Sequence, residues 1–321
     1  MKFKKIALAS FALVSAMALT ACGSNSSSKK EDAVSVGIIQ YAEHDALSSS
    51  RKGFLEALKD AGYVEGENLI VDFQNAQGDQ ANLQTMVDQL AGQNDLNFAI
   101  ATPAAQALLN VDSETPAVFT AVTDPVSAGL VDSLETPGGN MTGSIDATDV
   151  EGQVEMLLKV VPEAKTVGIF YNSSEVNSEV QAKQAKEALE AAGKTVVIKT
   201  VTSTNDVQQV MTSLAGQVDA IYLPTDNTVA STAATIGEIL MDKKVPAIGS
   251  DEAYLEAVLF TYGVDYHAIG VQAGELAVEV LQGKDPADLS VKKPDTAAIA
   301  VNEEMAEALG IDSASIEELN K

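Results

Sequence analysis

Tryptophan is absent from this chain of 321 residues, cysteine and arginine occur once each, and histidine only twice. A single cysteine excludes an internal disulfide. With only His44 and His267, there is little scope for a histidine-based triad or a histidine metal site. The lone Arg51, beside Lys52 in an ordinary helical pattern, does not supply the bidentate or clustered cations that a phosphate or dicarboxylate usually needs. Aromatic residues make up 5% of the chain, so the core must be aliphatic and the broad stacking platforms common in sugar capture are disfavoured. Tyr41, Phe119, Tyr171, Tyr222 and Tyr254 remain to line a pocket for an apolar side chain. Basic residues number 20 against 46 acidic ones, for a formal net charge of −26. Such a surface repels phosphate backbones and anionic headgroups, which argues against a nucleic-acid partner. Also missing are the Gly-x-Ser-x-Gly elbow, the Gly-x-Gly-x-x-Gly fingerprint and the phosphate loop, so an enzyme would have to work with carboxylates alone. No catalysis, cofactor or metal is expected.

The longest uncharged apolar stretch, Ile6 to Leu19, is short for a membrane span and follows Lys2, Lys4 and Lys5, the pattern of a secretory leader. Leu19-Thr20-Ala21-Cys22 resembles a bacterial lipobox. The expectation is a signal peptide over 1–21, lipidation of Cys22, and an extracytoplasmic protein held at the cell membrane by that anchor. A small polar stretch, Gly-Ser-Asn-Ser-Ser-Ser-Lys-Lys, follows Cys22 and reads as a flexible tether over 22–32. Each acyl methylene buried in the bilayer contributes about 0.8 kcal/mol to such anchoring.

After the tether, strand-like and helix-like patterns alternate. Val34 to Gln40 is a continuous apolar run suited to a strand covered on both faces. Phe54, Leu55, Leu58 and Ala61 then recur at helical spacing, with Gly62 placed to end the helix. A strand near Leu69 to Phe73, a helix carrying Leu83, Met86, Val87 and Leu90 on one face, and a strand from Leu96 to Ala101 continue the alternation. Further strands are expected near Thr195–Thr200, Ala220–Leu223, Ala247–Gly249, Ala257–Tyr262 and Ala297–Val301. This order implies βαβ units and parallel sheets. The pattern also repeats: Val36-Gly37-Ile38-Ile39-Gln40 is echoed 131 residues later by Val167-Gly168-Ile169-Phe170-Tyr171, and Ala57 to Gly62 by Ala188 to Gly193 at the same offset.

The fold class is therefore α/β, with two Rossmann-like lobes built on parallel sheets and joined by a hinge of several strands. The expected hinge lies at Gly143 to Thr148, with a second crossing near Gly263-Val264-Asp265 and a third before the last strand. These crossings assign 33–146 with 263–285 to an N-terminal lobe, and 147–262 with 286–321 to a C-terminal lobe.

In such sheets ligands bind beyond the carboxyl ends of the strands. The residues there are Gln40 and Tyr41, Thr102 to Gln106, and Thr123-Asp124-Pro125 in the first half. In the second half they are Tyr171 to Glu175, Pro224 to Asn227, and Gly249 to Glu252. Thr102-Pro103 reads as an N-cap followed by proline at the first helical position, leaving the amides of Ala104 and Ala105 free to meet an anion. Glu175, Asp226 and Asp251 in the opposite half would receive an ammonium group, although each also suits a helix cap. A zwitterion needs one helix terminus and one acid, and this chain offers both.

Residues 37–44 (Gly-Ile-Ile-Gln-Tyr-Ala-Glu-His), 75–79 (Asn-Ala-Gln-Gly-Asp), 101–108 (Ala-Thr-Pro-Ala-Ala-Gln-Ala-Leu), 119–131 (Phe-Thr-Ala-Val-Thr-Asp-Pro-Val-Ser-Ala-Gly-Leu-Val) and 171–178 (Tyr-Asn-Ser-Ser-Glu-Val-Asn-Ser) resemble the ABC transporter substrate-binding lipoproteins that carry tryptophan or phenylalanine. The resemblance covers nearly all of the chain beyond the tether. It implies the type I periplasmic-binding-protein fold with three crossovers, capture of an amino acid, no catalysis, and a membrane permease with an ATPase as partners. The chain is expected to act as a monomer. The family's ligand contacts fall on Gln40, Thr102, Ala105, Thr123 and Asp124 in the first lobe, and on Asn172, Glu175, Asp226 and Asp251 in the second. The chain departs from the family after His44, where Asp45-Ala46-Leu47-Ser48 replaces a common Pro and later Asp, so that loop carries no assigned selectivity. The alternatives are a binding protein for a branched-chain amino acid, sugar or nucleoside, and a receptor subunit that presents its solute to a signalling protein.

Overall fold

The computed structural model describes residues 33–320. The leader, the tether and Cys22 lie outside the described residues. The first lobe opens with strand β1 (Val34–Gln40), helix α1 (Asp45–Asp60), β2 (Leu69–Asn75), α2 (Gln80–Leu90), β3 (Leu96–Ile100), α3 (Thr102–Val111), β4 (Ala117–Val122) and β5 (Met141–Ile145). These five strands form one parallel sheet in the order β2-β1-β3-β4-β5. The order reverses between β1 and β3, so the loops after those strands diverge and leave a crevice. Strands β1, β3 and β4 are almost wholly buried, as continuous apolar runs require once helices cover both faces. The outer strand β2 is more polar and leaves Ile70 and Phe73 partly exposed.

Helix α1 shows how the pattern becomes packing. Ala46, Leu47, Ser50, Gly53, Phe54, Ala57 and Leu58 lie on one buried stripe at three- and four-residue spacing. Phe54 stacks on Phe98 of β3, with ring centroids 3.7 Å apart. The helix stops where Gly62 takes φ +93°, a left-handed conformation that glycine adopts without penalty.

The chain then crosses to the second lobe. Its elements are α4 (Val150–Val160), β6 (Thr166–Asn172), α5 (Val176–Ala191), β7 (Thr195–Val201), α6 (Val207–Ala215), β8 (Ala220–Leu223), the short α7 (Asn227–Ala230), α8 (Ala233–Lys243), β9 (Ala247–Gly249) and β10 (Phe260–Val264). The repeated sequence segments fall on matching elements: β1 and β6 each hold 7 residues, and α1 and α5 each hold 16. The strand expected at Ala257–Tyr262 runs instead from Phe260 to Val264. Asp251 caps a 3-10 turn at Glu252–Tyr254, and the buried segment that follows delays the extended backbone.

After β10 the chain returns to the first lobe as α9 (Tyr266–Leu281), which packs along α1 and against β4 and β5. The approach is close enough that a Cβ on Gly53 would sit 2.2 Å from the His267 carbonyl, and one on Gly270 would sit 2.1 Å from that of Ser50. The segment after α9 stays with the first sheet. Val291 and Lys292 donate their amides to Leu134 and Gly143, and Ile145 donates to Lys292. The last crossing therefore falls beyond Lys292 rather than at 286, because these residues extend the first sheet alongside β5. Strand β11 (Ala297–Val301), α10 (Glu303–Leu309) and α11 (Ser313–Glu317) complete the second lobe. Its sheet has the order β11-β10-β9-β8-β6-β7, with β11 antiparallel to β10 and the other neighbours parallel. Each lobe has its own hydrophobic core.

Candidate functional site

The carboxyl ends of both sheets face the same region, and α3 of the first lobe touches α5 of the second. Two alanines on the first-lobe rim have left-handed backbones: Ala101 just after β3, with φ +84°, and Ala121 near the end of β4, with φ +54°. Neither is a residue that relaxes into that region, and backbone strain of this kind tends to concentrate at ligand sites. Ala101, rather than Thr102, is the N-cap of α3. The twist at Ala101 carries Thr102 into the first helical turn, so its hydroxyl is not spent on capping. The Ala105 amide donates to the Ala101 carbonyl at 3.1 Å and is not free, which leaves Ala104 as the expected anion-facing amide of the two.

Most of the anticipated contact residues spend their polar atoms inside their own lobe. The Gln40 carbonyl oxygen accepts from Arg51 at 2.9 Å, and its amide donates to the Ala42 carbonyl at 2.7 Å. The single guanidinium lies over the Phe73 ring, 3.9 Å from its centroid. Asp124 accepts from the amide and hydroxyl of Ser127. The Asn172 amide group donates to Thr228 at 2.8 Å, and its oxygen accepts from the Ser174 backbone. Glu175 is fully buried and receives four donors: the backbone amides of Asn227 and Thr228, the Asn227 side chain and the Thr228 hydroxyl. A carboxylate offers about four lone-pair positions, so Glu175 has none left for an ammonium. Asp226 accepts from the backbone amides of Asn172 and Val229. Burial and the neighbouring Glu175 carboxylate push its pKa well above the usual range.

A different set of groups is left over. Among the described residues, Thr102 Oγ1, Thr123 Oγ1, Asp146 Oδ1, Asn177 Oδ1, Gln181 Nε2 and His44 Nδ1 are buried atoms with no hydrogen-bond partner in the protein. Gln272 Oε1, on α9, is the one further case. Native proteins seldom leave such atoms unpaired, because each unmet bond costs about 1–3 kcal/mol. Two of them, Thr123 of the first lobe and Gln181 of the second, line the same cavity and mark it as a place where a polar molecule is received. A cavity of about 270 Å³ runs between Thr123, Ile145 and Thr148 on one wall and Val180, Gln181 and Gln184 on the other, with Pro125, Val126 and Leu134 making much of it apolar. No residue of this lining is a lysine or arginine.

Acidic and phenolic groups also meet where the two lobes join. The Tyr266 hydroxyl, at the start of α9, lies 2.9 Å from Asp146 Oδ2 and 2.6 Å from Asp251 Oδ2, so it joins the lobes. Burial, with the charge of Asp251 added, raises the Asp146 carboxyl to about 6. Thr123 lies near enough to restrain that rise without reaching hydrogen-bonding geometry. Tyr41 is pushed up to about 12 by burial and by Glu175 across the cleft. His44 Nε2 reaches Asn227 Oδ1 at 3.4 Å, a second contact between the lobes.

Of the nine anticipated residues, Thr102 and Thr123 thus present free hydroxyls, while Gln40, Asp124, Asn172, Glu175, Asp226 and Asp251 brace the rims. Ala105 lies buried in the first turn of α3. Asp146, Asn177, Gln181 and Tyr266 were not anticipated. For Asn177 and Gln181 the signal was present in the sequence: on α5 they share the stripe that also holds Ala182, Ala185 and Leu189, and an amide on an apolar stripe needs a partner.

A family model described as ABC transporter substrate binding protein matches residues 35–318. The chain is 39% identical over 312 residues to a tyrosine-binding protein of Clostridioides difficile, covering 94% of this chain and 90% of the relative. In structure it matches an ABC domain from Streptococcus pneumoniae in complex with L-Trp at a TM-score of 0.85, with 37% identity over 90% of this chain and 98% of the other. It also matches the ligand-free, open structure of a substrate binding protein with adhesive properties from Clostridium difficile, at 42% identity over 87% of this chain and 96% of that one. That second TM-score is only 0.66, despite the higher identity. The backbone here thus follows the L-Trp-bound neighbour more closely than the ligand-free, open one.

Proposed function

The chain belongs to the family of ABC transporter substrate binding proteins, and on that premise we propose that it captures a free aromatic amino acid between its lobes and delivers it to a membrane permease powered by an ATPase. One observation carries this reading: Thr123 of the first lobe and Gln181 of the second, each with a buried polar atom that has no protein partner, face one cavity whose remaining walls are largely apolar. An amino acid has the matching parts, a carboxylate, an ammonium and an apolar side chain. The acceptors Asp146 Oδ1 and Asn177 Oδ1 suit the ammonium, and the Thr102 and Thr123 hydroxyls suit the carboxylate. The lack of Lys or Arg in the lining disfavours phosphates and dicarboxylates, whose second charge would go unmet. The relative that binds tyrosine and the neighbour holding L-Trp support an aromatic side chain in the apolar part.

The protein itself performs no chemistry on its ligand. It works outside the cytoplasm as a monomer, tethered through a lipid on Cys22, so that diffusion is confined to the neighbourhood of the permease.

Isothermal titration of the mature protein with the twenty amino acids tests this function. The expected result is 1:1 binding of tyrosine, tryptophan or phenylalanine at about micromolar affinity, equivalent to about −8 kcal/mol. Heat from sugars or nucleosides with none from amino acids would overturn it. Double substitution Thr102→Val and Thr123→Val should weaken binding by about 10- to 100-fold, since two donors to a charged group are lost.

A further inference from the structure

The two amides on α5 are fixed in orientation by one backbone residue. Thr225 donates its N–H to Gln181 Oε1 at 2.7 Å, and its carbonyl accepts from Asn177 Nδ2 at 2.8 Å. The Ser178 hydroxyl donates to the same carbonyl at 3.0 Å. An N–H can meet only an oxygen and a carbonyl only a donor, so neither amide can flip without breaking its bond to Thr225. Asn177 therefore presents an oxygen and Gln181 an NH₂ group, one helical turn apart. Both side chains are more than nine-tenths buried, and both presented atoms lack a protein partner. Gln181 shares its cavity with Thr123 of the opposite lobe.

We infer that Asn177 and Gln181 are the specificity-determining pair of the second lobe: Gln181 Nε2 donates to the carboxylate of a bound α-amino acid, and Asn177 Oδ1 accepts from its ammonium. The inference rests on the amino-acid reading above and adds to it the residues that sense the polarity of the ligand's head. The pair supplies one acceptor and one donor without net charge, which matches a zwitterion and mismatches a bare amine or a bare acid. Thr225 sets which way round the code is written.

Two substitutions at one position separate this role from a structural one. In Gln181→Glu the side chain keeps an oxygen for the Thr225 amide but turns the presented donor into a second, charged acceptor. In Gln181→Met it keeps neither. A purely structural Gln181 makes the Met variant the worse binder, whereas a carboxylate-facing donor makes the Glu variant the worse. Titration of L-tyrosine and L-tryptophan at pH 8 should show about 10-fold weaker binding for Gln181→Met and 100-fold or more for Gln181→Glu, the excess reflecting two opposed negative charges. Asn177→Ala should weaken L-tyrosine about 10-fold yet leave 3-(4-hydroxyphenyl)propanoate, which has no ammonium, within about threefold of wild type. The inference is overturned if Gln181→Glu binds as well as or better than Gln181→Met, or if either binds within threefold of the wild type. Wild-type protein that binds neither amino acid would instead remove the functional reading, and this inference with it.

Discussion

Glu175 illustrates how a charged residue at a strand end can belong to the scaffold rather than the ligand. Its four donors include the amides at the start of α7, so the carboxylate organises the whole Asp226–Thr228 rim. Replacement Glu175→Gln turns one oxygen into a donor aimed at other donors. Urea denaturation should register a loss of about 2–4 kcal/mol, the usual cost of stranding buried polar partners. Asp146 should behave in the opposite sense. Its folded pKa of about 6 stands above the ordinary carboxylate value, so between the two the native state holds a proton that the unfolded chain has released. Its contribution to stability therefore falls as pH rises through about 4 to 6 and stays lowered above that. Asp146→Asn should melt higher than wild type at pH 7.5, by up to about 3 kcal/mol of stability, with little difference at pH 4. Glu252, raised to about 7 by burial and by Asp251, shifts wild type and variant alike and leaves that difference intact.

Helix α9 is held to the first lobe by contact with α1 along a whole element. Small residues let the two backbones meet: Gly53 and Gly270 approach the opposing carbonyls within a distance that no Cβ tolerates. Ser50 donates to the Tyr266 carbonyl and Ser144 to that of Ile269, adding bonds at the same junction. Gly270→Ala should destabilise the apo protein by about 2–3 kcal/mol in urea, through forced separation of the helices, and should weaken ligand binding as Tyr266 shifts. Elements of this kind were legible in advance. The apolar run of β1, the stripe of α1 and the 131-residue echo gave strands, helices and two lobes directly from local pattern. The site was only partly legible. Topology put Thr102 and Thr123 at the rim, but whether an acid there is free depends on donors that arrive from distant segments. Glu175 is occupied by residues 52 and 53 positions away, and no local motif reports that. The course of 286–292 was hidden for the same reason, since its partners are Leu134 and Gly143.

At the scale of the whole molecule, the interlobe bonds from Tyr266 to Asp251 and from His44 to Asn227 are polar, so water can replace them when the lobes part. Ligand should therefore decide how long the lobes stay together. At 100 times the dissociation constant it should add about 2.7 kcal/mol of stability, visible as a rise of several degrees in thermal melting, and small-angle scattering should show a smaller radius of gyration. Strands β10 and β11 shape how that movement can proceed. They leave and re-enter the second lobe side by side, and their pairing extends to Val264 opposite Ala297, at the very threshold of the crossing. Two strands bonded edge to edge behave like a strip of tape: compliant when folded across the flat, stiff against shearing or skewing in their own plane. Such a strip would steer the jaws along a single arc, and Gln181 would come back to the same address opposite Thr123 each time the mouth shuts.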